Sequence, residues 1–274
     1  MLKDITIGQF FPGNSLLHKA DPRVKIILAL AFIVAVFLAG CASAYILLGA
    51  FTVMLVLISG IKLHVVLKGI KPLIFVIIFT SVINVFFTTG DTLLFEWRFI
   101  HVYLEGIANA IFMAVRIISL LIGTSVILTY TTSPIALTDA IERLLSPLRV
   151  IKMPVHEFAM MMTIALRFIP TLIEETDKIM SAQKARGADF SNGKLVDRAK
   201  ALIPVLIPLF ISSFRRADDL ATAMECRCYR GGEGRTRMTK LKMTYRDLIV
   251  CAMMGCFMAG LVLLGKYFPI YSVG

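Results

Sequence analysis

Charge is scarce in this chain, and negative charge scarcer still: charged residues make up 17% of 274, with 18 Asp and Glu against 29 Lys and Arg. With 58% hydrophobic residues and a mean hydropathy of +0.81, that scarcity excludes a soluble globular domain and defines a polytopic membrane protein. The shortage of acids leaves a formal charge of +11, so the basic residues must be concentrated outside the apolar runs. On a membrane protein such a concentration marks first the cytoplasmic side and then an acidic partner. No basic and aromatic module is visible, so nucleic acid is not expected as a partner.

Groups that do chemistry are also few. Among the five cysteines, Cys41, Cys251 and Cys256 lie in or beside apolar runs, where a free thiol is a small hydrophobe. Cys226 and Cys228 form a Cys-x-Cys pair without a second pair or a nearby histidine, so no metal site is expected. His18, His64, His101 and His156 are scattered, no Gly-x-Ser-x-Gly elbow occurs, and no span carries a carboxylate at its centre. The glycine-rich loop 230–237 lacks the Gly-Lys-Ser/Thr of a phosphate-binding loop; Gly193-Lys194 and Gly265-Lys266 lead into Leu195 and Tyr267. Glu174-Glu175 and Asp218-Asp219 sit beside Lys178 and Arg215-Arg216, a pattern for helical ion pairs. No catalytic residue and no cofactor bound by this chain are expected. Energy must come from elsewhere.

What is present is a series of apolar runs. Residues 1–23 contain Pro12-Gly13-Asn14 and a short basic cluster, with no cleavable signal pattern, and read as a cytoplasmic leading segment. Residues 24–41 and 45–61 predict a hairpin of two membrane helices, each near the ~17–25 residues a span needs. Lys62, Lys68 and Lys71 mark the return to the basic side, and 73–87 crosses again. The connection 88–105 carries Asp91, Glu96 and Glu105 against Arg98, with Trp97, Phe99 and Tyr103 suited to an interfacial belt, and reads as external. A fourth crossing follows at 107–130 and a fifth at 248–264, which places the C-terminus outside. Arg116, mid-span, must face protein or water, since its insertion costs roughly 2.5–3.5 kcal/mol on translocon scales; packing within the bundle is preferred to a transport path, and Asn84 is expected to pair either with Arg116 or with a backbone carbonyl.

Between these spans the character turns amphipathic. The expected domains are therefore 1–130 with four membrane helices, 131–245 as a cytoplasmic or interfacial domain of two to three long amphipathic helices, and 246–274 with the C-terminal membrane helix. Ser133-Pro134 opens a first helix, Met153-Pro154 a second running to Ala185, and a third covers about 195–229. Were the last two to span, the connection with Lys178, Lys184, Arg186, Lys194 and Arg198 would be external, against the positive-inside pattern. They are expected to lie in or against the inner interface, bent by Pro170, Pro204 and Pro208.

Each of these two helices, roughly 45 Å long at 1.5 Å per residue, ends in an arginine flanked by small residues: Ala185-Arg186-Gly187 and Cys226-Arg227-Cys228. Such an arginine complements the helix dipole, and a following glycine suits the left-handed cap position. One such motif reads as a basic cap; its repetition points to docking. If the helices run oppositely, Arg186 and Arg227 lie tens of ångströms apart, a spacing suited to a two-subunit partner.

These motifs, with Leu17-His18-Lys19-Ala20-Asp21-Pro22-Arg23-Val24-Lys25, Leu166-Arg167-Phe168-Ile169-Pro170, Glu174-Glu175, Arg215-Arg216-Ala217-Asp218, Ala223-Met224 and Arg235-Thr236, give a chain that resembles the transmembrane T component of energy-coupling factor transporters. Ala185-Arg186-Gly187 matches the family's Ala-Arg-Gly motif, whereas Cys226-Arg227-Cys228 keeps only the arginine. The resemblance implies a multi-pass subunit of a prokaryotic cell membrane, partnered by two ATP-binding cassette ATPases that use ATP and magnesium, by a small substrate-binding membrane S component, and by lipid. Together these import a vitamin or a transition-metal ion. It implies ATPase docking at Ala185, Arg186, Gly187, Cys226, Arg227 and Cys228. Met160, Met161 and Ile164 with Val205, Leu206 and Leu209 are the candidate contacts for the S component, or ordinary bundle packing. Two other classes stand beside this reading. A membrane enzyme acting on lipid requires a polar catalytic cluster at interface depth, and a self-sufficient carrier requires inverted repeats and midplane ionisable groups.

Overall fold

The structure, a computed structural model, describes residues 10–88, 92–97, 100–151, 153–188, 190, 195–231 and 243–267. Asp91, Arg98, Phe99, Gly193-Lys194, residues 232–237 of the glycine-rich loop and with them Arg235-Thr236 lie outside the described residues. The chain is an all-α polytopic membrane protein, interrupted by one hairpin. Its contacts resolve two units, Thr138–Thr239 and Gly8–Leu137 with Lys240–Gly274.

The second of these is the apolar bundle. Asp21 caps α1 (Pro22–Leu38), its carboxylate accepting from the Arg23 amide at 2.9 Å, with Pro22 at the first helical position where no amide partner is needed. Helix α2 (Ala42–Ser59) stops at Gly60, whose φ of 68° lets its N–H close back on the Leu57 carbonyl. Lys68 and Lys71, expected in a connection, instead sit on a continuous helical stretch: α3 (Leu63–Ile70) passes through a tight turn at Lys71–Leu73 into α4 (Ile74–Phe87). Val66 and Ile70 are buried while Lys68 and Lys71 stay exposed, so the basic residues occupy the outer face of an amphipathic turn.

The connection read as a loop contains β1 (Leu93–Trp97) and β2 (Ile100–Tyr103), paired antiparallel with Glu96 opposite His101. Their aromatic and β-branched content favours strand pairing over an open loop. Helix α5 (Leu104–Thr124) continues into a π-helical turn at Ser125–Thr129, and α9 (Tyr245–Tyr267) completes the bundle.

Phe32 of α1, Phe51 of α2 and Phe257 of α9 stack together, the last two with ring centroids 3.9 Å apart. Gly123 lets α5 approach this stack: a Cβ there would overlap the Phe32 ring. Outside the core the pattern inverts, with Leu30, Phe37, Ile46, Leu57, Phe75 and Phe87 all exposed. A bundle that turns large apolar side chains outward is built for lipid.

Arg116 faces protein, as the sequence requires. Its Nη2 donates to the Ala39 carbonyl at 2.9 Å and to the Tyr45 hydroxyl, and the guanidinium lies over the Tyr45 ring, which stacks on Phe112. Asn84 does not pair with it; its amide donates to the Thr80 carbonyl of its own helix at 2.9 Å.

Five helical stretches among the described residues are long and apolar enough to cross a membrane: Ala42–Ser59, Leu63–Phe87, Leu104–Thr129, Val155–Ala185 and Tyr245–Tyr267. Helix α1, with 17 residues and a length of about 25 Å, lies at the short end of the spanning range. Val155–Ala185 qualifies on length and composition, although the sequence reading lays it against the inner interface.

The other unit contains most of α6 (Pro134–Leu144), opened by the Ser133 hydroxyl accepting from the Ala136 amide, then α7 (Val155–Ala185) and α8 (Leu195–Cys226). Glu142 of α6, almost fully buried, meets the His156 ring of α7 at 2.9 Å.

Candidate docking site

The ends of α7 and α8 are built alike. At the first, the Gly187 N–H bonds the Lys184 carbonyl and the Ala188 N–H the Gln183 carbonyl, both at 3.0 Å. At the second, the Cys228 N–H bonds Glu225 at 2.8 Å and the Tyr229 N–H bonds Met224 at 3.0 Å. Each pair is the double closure of a Schellman cap. Gly187 takes the required left-handed backbone at φ 91°, and Cys228 takes the same conformation at φ 56°. The departure from glycine therefore leaves the helix end unchanged, with a side chain held where one is disfavoured. Arg186 and Arg227 occupy the same position in both caps, the last residue before the chain turns, and both are exposed.

The two helices pack antiparallel. Glu175 of α7 faces Arg216 of α8 at 2.6 Å, and Gln183, further along α7, reaches Pro204, further back on α8, at 3.5 Å. The second contact has a backbone cause: Pro208 has no N–H to give the Pro204 carbonyl, and the Gln183 amide donates to it instead. The ion pairing expected within each helix is thus realised between helices at Glu175 and Arg216. Antiparallel packing sets Arg227 beside the early turns of α7. Arg186 lies at that helix's far end, about 30 Å away at 1.5 Å per residue.

Arg227 opens on a cleft of about 730 Å³. Met160, Ile164, Phe168, Leu220 and Met224 supply apolar walls, and Arg167 and Arg230 add two further guanidinium groups. The expected S-component contacts divide accordingly. Met160 and Ile164 line the cleft, Met161 and Leu206 are exposed, Leu209 is half-buried, and Val205 is buried with its side chain away from solvent. Ala185 and Cys226 are the exposed last residues of their helices, and both thiols of the second motif are free.

The motif near the start of the chain has a structural meaning that spacing did not reveal. The buried Asp247 carboxylate accepts from the Asp21 amide and from the Thr244 amide, each at 2.7 Å, joining the starts of α1 and α9. The Lys25 ammonium, also buried, donates to the Thr131 carbonyl at 2.9 Å, the Thr132 hydroxyl at 3.2 Å and the His18 carbonyl at 3.3 Å. Asp247 and the Thr131-Thr132 pair were not singled out from sequence. Thr244-x-x-Asp247 ahead of an apolar run was the available signal, since it has capping-box form.

The apolar bundle, with its large side chains turned outward, is that of a multi-pass membrane protein, and the antiparallel helix pair carries an exposed arginine at the end of each helix. The chain matches the CbiQ family, described as cobalt transport protein, over residues 13–238. It is 58% identical over 268 residues to the energy-coupling factor transporter transmembrane protein EcfT of Ruminiclostridium cellulolyticum, covering 98% of this chain and all of that one. The proteins of the same description from Clostridium kluyveri and Bacillus subtilis are 56% and 47% identical, over 92% and 91% of this chain and 94% of each of theirs. The chain belongs to the CbiQ family, as a transmembrane component of the energy-coupling factor transporter type.

Proposed function

We propose that this chain is the scaffold of an ATP-driven importer, coupling ATP hydrolysis in two ATP-binding cassette subunits to movement of a small substrate-binding membrane S component, with a vitamin or a transition-metal ion as cargo. The observation that carries the reading is the pair of arginines at equivalent cap positions, at opposite ends of an antiparallel helix pair. Arg186 and Arg227 each enter a groove of one ATPase and pair with carboxylates there, framed by Ala185 and Gly187 and by Cys226 and Cys228. A guanidinium makes two parallel bonds to a carboxylate, so lysine replaces it poorly. ATP and magnesium bind the ATPases rather than this chain, which is non-catalytic.

Closure of the ATPases shifts the two helix ends relative to one another, and α7 and α8 carry that shift to the S component. Exposed Met161 and Leu206 are contact residues for it, while buried Val205 supports them from within. The N-terminus and the helix pair face the cytoplasm, where the basic residues collect, and the C-terminus lies outside.

The test is the Arg186→Glu, Arg227→Glu double variant. It is expected to insert normally, to lose both ATPases on mild-detergent purification, and to abolish uptake. Full uptake by that variant would overturn the docking assignment.

A further inference from the structure

The two arginine sites share a cap but differ in their surroundings. The cleft below Arg227 is lined by three arginines, Arg167, Arg227 and Arg230, and by no carboxylate among the described residues. None of the three has an ion pair among the described residues, whereas Arg216 is paired with Glu175 in the same unit. Three like charges converging on one cavity repel within a screening length of about 8 Å at physiological salt. The cleft is therefore electrostatically incomplete and suited to an anion.

We propose that this cleft is a composite docking pocket, in which Arg167 of α7 and Arg230 act with Arg227 to hold an acidic segment of one partner ATPase. The proposal rests on the docking role of Arg227. It assigns Arg167, which lies 60 residues away in sequence, to the same contact. The occupant is an acidic, partly apolar polypeptide segment: carboxylates answer the guanidiniums, and apolar side chains pack on Met160, Ile164 and Phe168. A volume of about 730 Å³ accommodates a loop tip or a helical turn. Three guanidiniums call for more than one carboxylate, which a polypeptide supplies and the single phosphate of a common anionic phospholipid does not.

The experiment is co-expression of the full chain with its ATPases, purification in mild detergent, and quantification of both ATPases and phospholipid retained. Variants are Arg167→Glu, Arg230→Glu, Arg227→Glu and, as a charge-matched control, Lys178→Glu, which is exposed on α7 outside the cleft. Arg167→Glu and Arg230→Glu are each expected to lower ATPase retention about tenfold or more, because a charge-assisted contact is replaced by repulsion. Lys178→Glu retains the ATPases. If Arg167→Glu fails to fold, the neutral Arg167→Gln is read in its place, with a smaller loss that Arg167→Lys partly restores.

Retention by Arg167→Glu and Arg230→Glu alongside loss by Arg227→Glu overturns the composite pocket and leaves single-arginine docking intact. Retention by Arg227→Glu overturns the docking reading itself. Loss of bound anionic phospholipid with ATPases retained assigns the cleft to lipid and also overturns the proposal.

Discussion

Glu175 and Arg216, 41 residues apart in sequence, meet at 2.6 Å and tie the middle of α7 to the middle of α8. The contact fixes the register of the antiparallel pair and therefore which turn of α7 lies beside Arg227. Both side chains are partly exposed, so solvent screening limits the strength of the pair to about 0.5–1 kcal/mol. Glu175→Arg is expected to lower uptake by misaligning the helices, and the exchanged Glu175→Arg, Arg216→Glu variant to recover most of it. Uptake in whole cells checks this; no recovery in the exchange would assign Glu175 another role.

Gly187 and Cys228 hold the same left-handed conformation, and their substitutions are expected to act in opposite directions. Gly187→Ala costs about 1 kcal/mol, for conformational reasons, since nothing crowds the site a Cβ would take. Cys228→Gly relieves a disfavoured backbone and gains up to about 1 kcal/mol, less what glycine loses in the unfolded chain. Thermal unfolding of the purified subunit reads both signs.

Gly123→Ala places a methyl group inside the volume of the Phe32 ring. Overpacking of this kind costs about 1–3 kcal/mol. The double variant Gly123→Ala, Phe32→Leu is expected to melt above Gly123→Ala alone, because the smaller side chain vacates the overlap.

Asp247→Ala leaves the buried Asp21 amide without its acceptor and removes the Thr244 cap, at a cost of about 1–3 kcal/mol. Asp247→Asn keeps one acceptor oxygen but turns its NH2 towards the amide that the other oxygen served, so it is expected to recover only part of the lost stability. Detergent melting curves of the two variants distinguish the lost bond from a change of charge.

The apolar runs were legible because a bilayer imposes length and composition on each helix separately. Residues 24–41, 45–61 and 248–264 lie within a few residues of α1, α2 and α9 for that reason. Ser133-Pro134 announced α6 through a serine cap and a first-turn proline, and Pro154 marked the start of α7 from the position just ahead of its first residue. The hairpin of β1 and β2 is not legible in the sequence because two strands of five and four residues in a connection give too short a pattern to separate from a loop.

What sequence determined by itself is what depends on near neighbours: the membrane class, the helices, and the two arginines at helix ends. Tertiary structure alone decided which distant residues meet. Pairing Arg216 with Glu175, placing Arg167 beside Arg227, seating Arg116 on Tyr45 and joining Asp247 to Asp21 each follow from the packing of helices whose contact residues lie tens to hundreds of positions apart. Periodicity marks a helix face as apolar or charged. The partner of that face is chosen by the summed fit of whole helices, which no local pattern contains.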